Sequence, residues 1–121
     1  MAITNYRDLE VYREGFDLAV QLHRRTRRFD VEDGDEIRGQ IRRSSKGICA
    51  NIAEGFGRQE SAAEFRRFLR IASGSLQETK VWLEFCQALA LLPDEEARSF
   101  WQDYDTLGKR LYRLSHRWET F

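Results

Sequence analysis

Arg110 and His116 are the two residues of this sequence whose types and spacing best suit acid–base chemistry. An arginine can hold a scissile phosphate, and a histidine six positions later can transfer the proton of a ribose hydroxyl. The chain has only two histidines, so no Ser/His/Asp or Cys/His set can be argued. Arginine is abundant, and this spacing also arises by chance. We therefore interpret His116 as a helix-end residue beside Tyr112 or Trp118, and His23 as a packing residue.

The segment Arg110-Leu-Tyr-Arg-Leu-Ser-His116 is similar to the Arg-x-x-x-x-x-His signature of HEPN-type ribonucleases. That resemblance implies a helical bundle that cleaves RNA as a dimer without metal. It is the alternative to the non-enzymatic role that we predict. The sequence has no Glu-x-x-His pair for a di-iron site, and Gly55-x-Gly57 does not follow a strand as a phosphate-binding loop would. No metal or cofactor is expected.

A basic stripe is the second feature that could do chemistry. Twenty basic and twenty acidic side chains cancel, so overall charge predicts no nucleic-acid partner. Four basic residues nevertheless recur at three- and four-residue spacing on the outward face of a predicted helix: Arg38, Arg42, Arg43 and Lys46. They either contact RNA or DNA phosphates or are solvated and ion-paired. The same two alternatives hold for the arginines at the end of the first predicted helix, Arg24, Arg25, Arg27 and Arg28.

Residues 43–58 organise the helices that must position these side chains. Apolar residues recur on one helical face, at Ile41, Ile48, Ile52 and Phe56. Gly55 and Gly57 are then expected to end that helix in the left-handed conformation. Ser61-Ala-Ala-Glu64 predicts a capping box at the start of the next helix. Residues 55–60 are therefore predicted to be a tight connection between two antiparallel helices.

Asn51 and Glu54 lie one helical turn apart beside this apolar face and need polar partners. Glu54 could pair with Arg58 or Arg43, or bind the exposed amides of the next helix. We interpret the pair as a structural clamp on the hairpin, because a single carboxylate without a second titratable group makes no acid–base pair.

Periodicity predicts one all-α domain over residues 1–121, an antiparallel up-down-up-down four-helix bundle. The predicted helices span about 6–28, 35–54, 62–91 and 94–118, with a polar turn at 30–35 and Asp94 as a cap. Three core rows are expected: Val11, Gly15, Leu18, Leu22 and Thr26, widened by Tyr12, Phe16 and Ala19; Phe65, Leu69, Ala72, Leu76, Thr79, Leu83 and Cys86; and Ala97, Trp101, Tyr104, Leu107, Leu111, Leu114 and Trp118.

The third helix is apolar over a wider arc than one bundle core can bury. The excess predicts an oligomer interface at Val81, Trp82, Phe85 and Leu89. The alternative is that helices 1 and 4 overhang and cover this arc. Mid-helix, Gly74-Ser75 is expected opposite Ile41, where small residues admit a close helix or a neighbouring subunit.

Asn51-Ile-Ala-Glu-Gly-Phe-Gly-Arg58, followed by Phe65-x-x-Phe-Leu-x-Ile-Ala-x-Gly-Ser-Leu-x-Glu78, resembles the four-helix-bundle protein family of 23S rRNA intervening sequences. Leu9-Glu-Val-Tyr12 also fits, and the family includes the accessory variability determinants of diversity-generating retroelements. The resemblance implies a ring-like homopentamer, and for some members binding of nucleic acid and of a reverse transcriptase. It marks Asn51, Glu54, Gly55, Gly57, Arg58, Gly74, Ser75 and Glu78 as motif residues.

Cys49 and Cys86 show no metal-ligand spacing and are predicted to be small buried hydrophobes in a reducing cytosol. No signal peptide or long apolar run is evident, which predicts a cytoplasmic protein with no membrane partner. The functional prediction is a non-enzymatic homo-oligomer that binds RNA, DNA or a nucleic-acid-handling protein. An oligomeric scaffold without nucleic-acid contact is a further alternative.

Overall fold

The computed structural model of the chain describes residues 2–29, 31–58 and 61–121. Within them lie four α-helices: α1 (Glu10–Arg25), α2 (Val31–Gly57), α3 (Ala62–Ala88) and α4 (Asp94–Arg117). Short 3₁₀ helices, Tyr6–Asp8 and Thr26–Arg28, flank α1. Each α-helix packs on the next, and α1 also packs on α4. The predicted antiparallel four-helix bundle is confirmed.

The inward rows that periodicity predicts form most of the core. Every residue of the predicted α3 row is buried, as are Val11, Gly15, Leu18, Leu22 and Thr26 at α1. In the α4 row, Trp101, Leu114 and Trp118 are only partly buried. Phe100 is buried although the sequence analysis did not include it. Phe16, predicted to widen the α1 row, is instead 49% exposed.

The predicted turn at 30–35 is wrong, because α2 already begins at Val31; Asp30 lies outside the described residues. Negative side chains such as Glu32 and Glu36 favour the positive N-terminal end of a helix, so this acidic segment suits the first turns of α2. Gly34 belongs to the helix, where an added Cβ would lie 2.7 Å from the Cβ of Phe29. A glycine at this position therefore reflects crowding rather than a turn.

The predicted left-handed closure at Gly55 and Gly57 is also wrong. The helix continues through both residues to Gly57, and none of the described glycines has a positive φ. The left-handed residue is Ala90, with φ 58°, just after α3. There the amide of Leu91 donates to the carbonyl of Cys86 at 2.8 Å, which satisfies an otherwise unpaired helix-end acceptor. Accordingly α3 ends at Ala88, three residues earlier than predicted.

The two predicted caps are each partly correct. The Ser61 hydroxyl accepts from the Glu64 amide at 3.2 Å, but the Glu64 carboxylate binds Arg67 at 2.7 Å rather than returning to Ser61. Gln59 and Glu60, in the predicted connection, lie outside the described residues. At the start of α4, Pro93 occupies the cap position and Asp94 is the first helical residue.

Cys49 and Cys86 are buried free thiols, as predicted. Burial raises the pKa of each thiol to about 12, so both stay protonated at neutral pH. Across the described part of the chain, none of the helices has the length and apolar character needed to cross a membrane.

Candidate nucleic-acid interface

The segment 51–58 lies at a close contact between α2 and α3. At Gly55 an added Cβ would collide with the Cβ of Phe68 and lie 3.2 Å from Cδ1 of Phe65. The next residue, Phe56, places its ring edge-on to Phe65, with centroids 5.8 Å apart. The glycine and phenylalanine of this segment therefore serve helix packing.

Asn51 makes its polar contact within α2, and Glu54 makes its contact with Arg58, the residue that follows the helix. The Asn51 amide donates to the carbonyl of Gly47 at 2.7 Å, one turn earlier. Arg58 donates to the Glu54 carboxylate at 3.4 Å, and both side chains are about half exposed. Glu54 thus pairs with Arg58, one of its predicted partners. The predicted clamp joins residues of α2 to one another and to Arg58, and does not cross to α3.

The predicted small-residue contact uses a different glycine. A Cβ added to Gly47 would lie 3.3 Å from the Ser75 hydroxyl, so Gly47 and Ser75 bring α2 and α3 together. Gly74 is exposed, and no atom lies within 4 Å of the position its Cβ would take. Glu78 is exposed on the same outward side of α3.

Two members of the predicted basic stripe turn inward, to the end of α1 and to the short 3₁₀ helix that follows it. Arg38 donates from Nε to the carbonyl of Thr26 at 2.8 Å and from Nη2 to that of Phe29 at 2.7 Å. Arg42 donates from Nη2 to the carbonyl of His23 at 2.8 Å and from Nε to the Thr26 hydroxyl at 2.9 Å. The last carbonyls of a helix lack hydrogen-bond donors within the helix, and these guanidinium groups provide the missing donors.

The outward placement predicted for Arg38 and Arg42 is therefore corrected. Only 16% of the Arg38 side chain is exposed. Arg43 and Lys46 do face outward, and Arg43 donates to the Gln40 side chain at 3.2 Å. The stripe is thus divided between a structural pair and an exposed pair.

A groove of about 500 Å³ runs between α1 and α2, and the sequence analysis did not predict it. We call it the α1–α2 groove. It is lined by Tyr6, Tyr12, Phe16, Ala19, Val20, His23, Arg24, Arg27, Lys46, Cys49, Ala50 and Ala53. The Tyr12 ring lies 4.9 Å from the Tyr6 ring and 6.0 Å from the Phe16 ring, centroid to centroid. The half-exposed Phe16 leaves an aromatic surface open to a ligand.

Gly15 positions the two helices that form this groove. An added Cβ at Gly15 would lie 3.2 Å from the Cys49 sulfur and 3.6 Å from Cγ2 of Ile48. A larger residue would separate α1 from α2 at their crossing. The missing side chain thus permits the close packing that sets Tyr12 and Phe16 opposite Ala50 and Ala53.

Three exposed cations stand at one end of the α1–α2 groove: Arg24, Arg27 and Lys46. None has an ion-pair partner among the described residues, and no carboxylate is among the lining residues. Partial burial, with the charges of Arg42, Lys46 and Arg27, lowers the pKa of His23. Burial and the charges of Arg38 and Arg27 likewise lower the pKa of Arg42. Because Arg24, Arg27 and Lys46 line this end of the groove and no lining residue is a carboxylate, a bound anion is favourable here.

Residues 7–113 match the family model described as 23S rRNA-intervening sequence protein. The chain belongs to this family. It is also similar to a protein with unknown function from the S23 ribosomal protein family of Bacteroides thetaiotaomicron, known from a crystal structure. The two sequences are 29% identical, the match covers 87% of this chain and 97% of that chain, and the TM-score is 0.77. No curated protein matches the chain.

In this family member, the apolar outward side of α3 lies open. We call it the α3 outer face; its half-exposed members are Val81, Phe85 and Leu89, which are 47%, 46% and 50% exposed. Trp82, at its edge, is partly buried, with its ring 5.6 Å from that of Phe85. Helices α1 and α4 leave these three side chains uncovered.

The two residues of the nuclease alternative lie on different sides of α4 in this family member. Arg110 is ion-paired with Glu14 of α1. The His116 ring packs at a tilt against the ring of Tyr112, with centroids 4.1 Å apart, and faces α3. The family match ends at residue 113 and does not include His116. In the part of the chain that is described, no three histidine, cysteine or carboxylate side chains group as metal ligands would.

Proposed function

We propose that this protein is a homo-oligomeric helical bundle that binds single-stranded nucleic acid in the α1–α2 groove. Its role is that of a non-enzymatic accessory protein in a nucleoprotein complex. One observation carries the proposal. The groove joins an open aromatic surface, centred on Phe16, to three exposed cations that have no acidic partner among the described residues.

Single-stranded nucleic acid is the ligand with the matching chemistry. Bases stack on aromatic rings, while a positively charged groove follows the phosphates. A duplex hides the faces of its bases and would use the cations alone. The presence of Phe16 in the same groove as Lys46 and Arg27 therefore favours a single strand. Arg43, exposed on α2, extends the same positive surface outside the groove.

Assembly would raise an affinity that one subunit cannot provide. Three cations give few phosphate contacts, and each contact is weakened by salt. Several grooves in one oligomer would bind one strand together through their high effective concentration. We assign the subunit contact to the α3 outer face with Trp82, and the resemblance described above suggests a pentamer.

RNA is the first nucleic acid to test, because the family model is named for an intervening sequence of 23S rRNA. DNA is the second, since the aromatic surface offers stacking to any base. A reverse transcriptase or another nucleic-acid-handling protein is the class of protein partner that we propose. The arrangement of Arg110 and His116 supports binding without cleavage, because their side chains do not converge.

Binding of a labelled, mixed-sequence single-stranded RNA, measured by fluorescence anisotropy over a salt series, tests the groove. Replacing Arg27 and Lys46 together by glutamate removes two cations and adds repulsion. We expect at least about tenfold weaker binding and a loss of about 1.4 from the salt slope, at roughly 0.7 per phosphate contact. The control is Arg28→Glu, which changes an exposed arginine outside the groove and should alter affinity less than about twofold.

Two results would overturn this assignment. Equal affinity of the double variant and Arg28→Glu would show that the groove is not the binding site. No binding at low salt would favour the alternative of an oligomeric scaffold without nucleic-acid contact. Incubating the RNA with the protein in EDTA tests the non-catalytic role, for which intact RNA is expected. Cleavage that is lost in His116→Ala would establish the nuclease alternative.

A further inference from the structure

A second groove lies between α3 and α4, where the first half of α3 packs on the second half of α4. Its main chamber, about 480 Å³, is lined by Arg66, Arg70, Ser73, Tyr112, Ser115 and His116. A smaller chamber of about 350 Å³ continues along α4 and is lined by Gln77, Asp105, Gly108, Lys109, Tyr112 and Arg113. Tyr112 lines both, so the two chambers adjoin at its side chain. We call the whole feature the α3–α4 groove.

The main chamber offers hydrogen-bond donors and no carboxylate. Arg70 is exposed, and none of the described side chains pairs with it. Arg66 donates one N–H to the carbonyl of Trp118 at 2.5 Å, which holds its guanidinium in place while other N–H groups remain. Ser73 adds a hydroxyl. These groups suit an anion with several oxygen acceptors, such as a phosphate.

Tyr112 adds a flat aromatic surface to this cationic chamber. Its side chain is 64% exposed, the largest exposure of the large apolar and aromatic side chains in the described structure. The His116 ring packs against the Tyr112 ring at a tilt of 46°, with centroids 4.1 Å apart. An exposed ring held by such a contact is pre-ordered, so a base that packs against it loses little additional entropy.

The smaller chamber, which Tyr112 also lines, continues this pattern. Its one carboxylate, Asp105, is already bound by Lys80 at 2.9 Å and by Lys109 at 3.5 Å. Arg113 has no ion-pair partner among the residues described. From Lys109 to His116 the helix rises roughly 10 Å at about 1.5 Å per residue, room for a short run of nucleotides.

We propose that the α3–α4 groove is a second binding site for single-stranded nucleic acid, in which a base stacks on Tyr112 and the flanking phosphates bind Arg70 and Arg113. This site is separate from the α1–α2 groove. In the bundle α3 packs on α2 and α4, and α1 packs on the same two helices, so the two grooves lie on opposite sides. One strand in both grooves would have to wrap around the subunit.

The opposite end of the same helix pair supplies a matched control. There a cavity of about 350 Å³ also holds an arginine and an aromatic ring, Arg98 and Trp101. It also holds Glu84, whose carboxylate accepts from the Trp101 indole at 3.4 Å. A carboxylate beside the ring repels phosphate, so this cavity should not bind nucleotides.

The test is a titration of ¹⁵N-labelled protein with a uridine trinucleotide, followed by NMR. We expect amide shifts in the first half of α3 and the second half of α4, and none around Arg98. Tyr112→Ala should weaken trinucleotide binding by about fivefold or more, the lower limit for loss of one stacking contact. Tyr112→Phe should retain wild-type affinity, since it keeps the ring. Arg70→Gln should weaken binding, whereas Arg98→Gln should not.

Three outcomes would overturn the proposal: shifts confined to α1 and α2, equal affinity of Tyr112→Ala and wild type, or inorganic phosphate binding as tightly as the trinucleotide. The last would reduce the groove to an anion site. A result that rejects binding in the α3–α4 groove can be distinguished from one that rejects binding in the α1–α2 groove. The Arg27→Glu, Lys46→Glu variant should lose affinity for long RNA while keeping its trinucleotide shifts at Tyr112.

Discussion

The inner and outer faces of α3 both carry large apolar side chains but lie in different environments. On the inner face Phe65, Leu69 and Leu76 are fully buried, and Gly55 of α2 comes against Phe68. On the outer face Val81, Phe85 and Leu89 are about half exposed. One subunit thus covers only one of two apolar surfaces on the same helix.

Packing within one subunit buries the inner face of α3 and leaves the outer face in contact with water. The inner face is held by close contacts that leave no room for a methyl group, and this gives the bundle its stability. The outer face exposes apolar side chains to water. This exposure is unfavourable in free energy, and another surface that covers the face would relieve it. Substitutions on the two faces should therefore change different measurable properties.

Gly55→Ala should have the largest effect on folding. The new methyl group would overlap the Cβ of Phe68, an atom fixed to the α3 backbone. We expect the free energy of unfolding to fall by about 1–3 kcal/mol, the usual cost of adding a group to a well-packed protein core. Urea denaturation followed by circular dichroism measures it. Gly57→Ala is the control, because nothing lies within 4 Å of that Cβ, and its stability should be unchanged or slightly raised. Equal losses in both variants would show that the α2–α3 contact at Gly55 is not tight.

Phe85→Glu should have the second largest effect, on assembly. A glutamate there would bury an unpaired charge in the proposed interface while remaining solvated in a free subunit. We expect a sizing column with light scattering to give an oligomer for the wild type and a single-subunit mass for the variant, at micromolar concentration. The helical content of the variant should be unchanged.

Gln102→Glu controls for the added charge, because Gln102 is an exposed residue of α4 and does not belong to the α3 outer face. It should assemble as the wild type does. A single-subunit mass for the wild type would contradict the assignment of the outer face to an oligomer.

Asp105→Asn should have the smallest effect, a loss of stability at neutral pH that disappears as the solution becomes acidic. Lys80, at the flank between the two faces of α3, is 8% exposed and binds Asp105 at 2.9 Å, with its ammonium 4.1 Å from the Trp101 ring centroid. The hydrogen bond from Lys80 lowers the pKa of the Asp105 carboxyl below its usual value.

A lowered folded-state pKa gives stability that is present above the unfolded pKa, about 3.9, and is lost as pH falls through the folded value. Thermal unfolding from pH 7 to pH 2 should show a smaller acid loss for Asp105→Asn than for the wild type. Asp103→Asn, on the same turn, is the control, and an equal change in both variants would argue against the Lys80 pair.

Much of the fold could be predicted because amphipathic spacing reports burial directly. The α3 row from Phe65 to Cys86 is buried as predicted, and the apolar arc at Val81, Phe85 and Leu89 is exposed on the subunit surface. The start of α2 was missed because a short acidic segment with a glycine suits a turn and a helix N-terminus equally. The closing residue Ala90 was missed because alanine seldom adopts positive φ.

The candidate sites were less predictable. Arg38, Arg42 and Lys46 are all cations and recur every four residues along α2. Yet the first two bind carbonyls at and just beyond the end of α1, and the third stands at an open groove. Likewise Arg70 and Tyr112 line one chamber although they are far apart in sequence. No local pattern signals either arrangement.

The sequence alone therefore determines which side of each helix is buried, because the helical period places every third or fourth residue on one face and apolar side chains gain free energy on leaving water. The partners of the charged and aromatic side chains are decided only by the tertiary structure. A guanidinium at Arg42 is structural because unpaired carbonyls at the end of α1 lie within its reach. Lys46, one turn further on, makes no hydrogen bond or ion pair with a described residue and stands at the open α1–α2 groove.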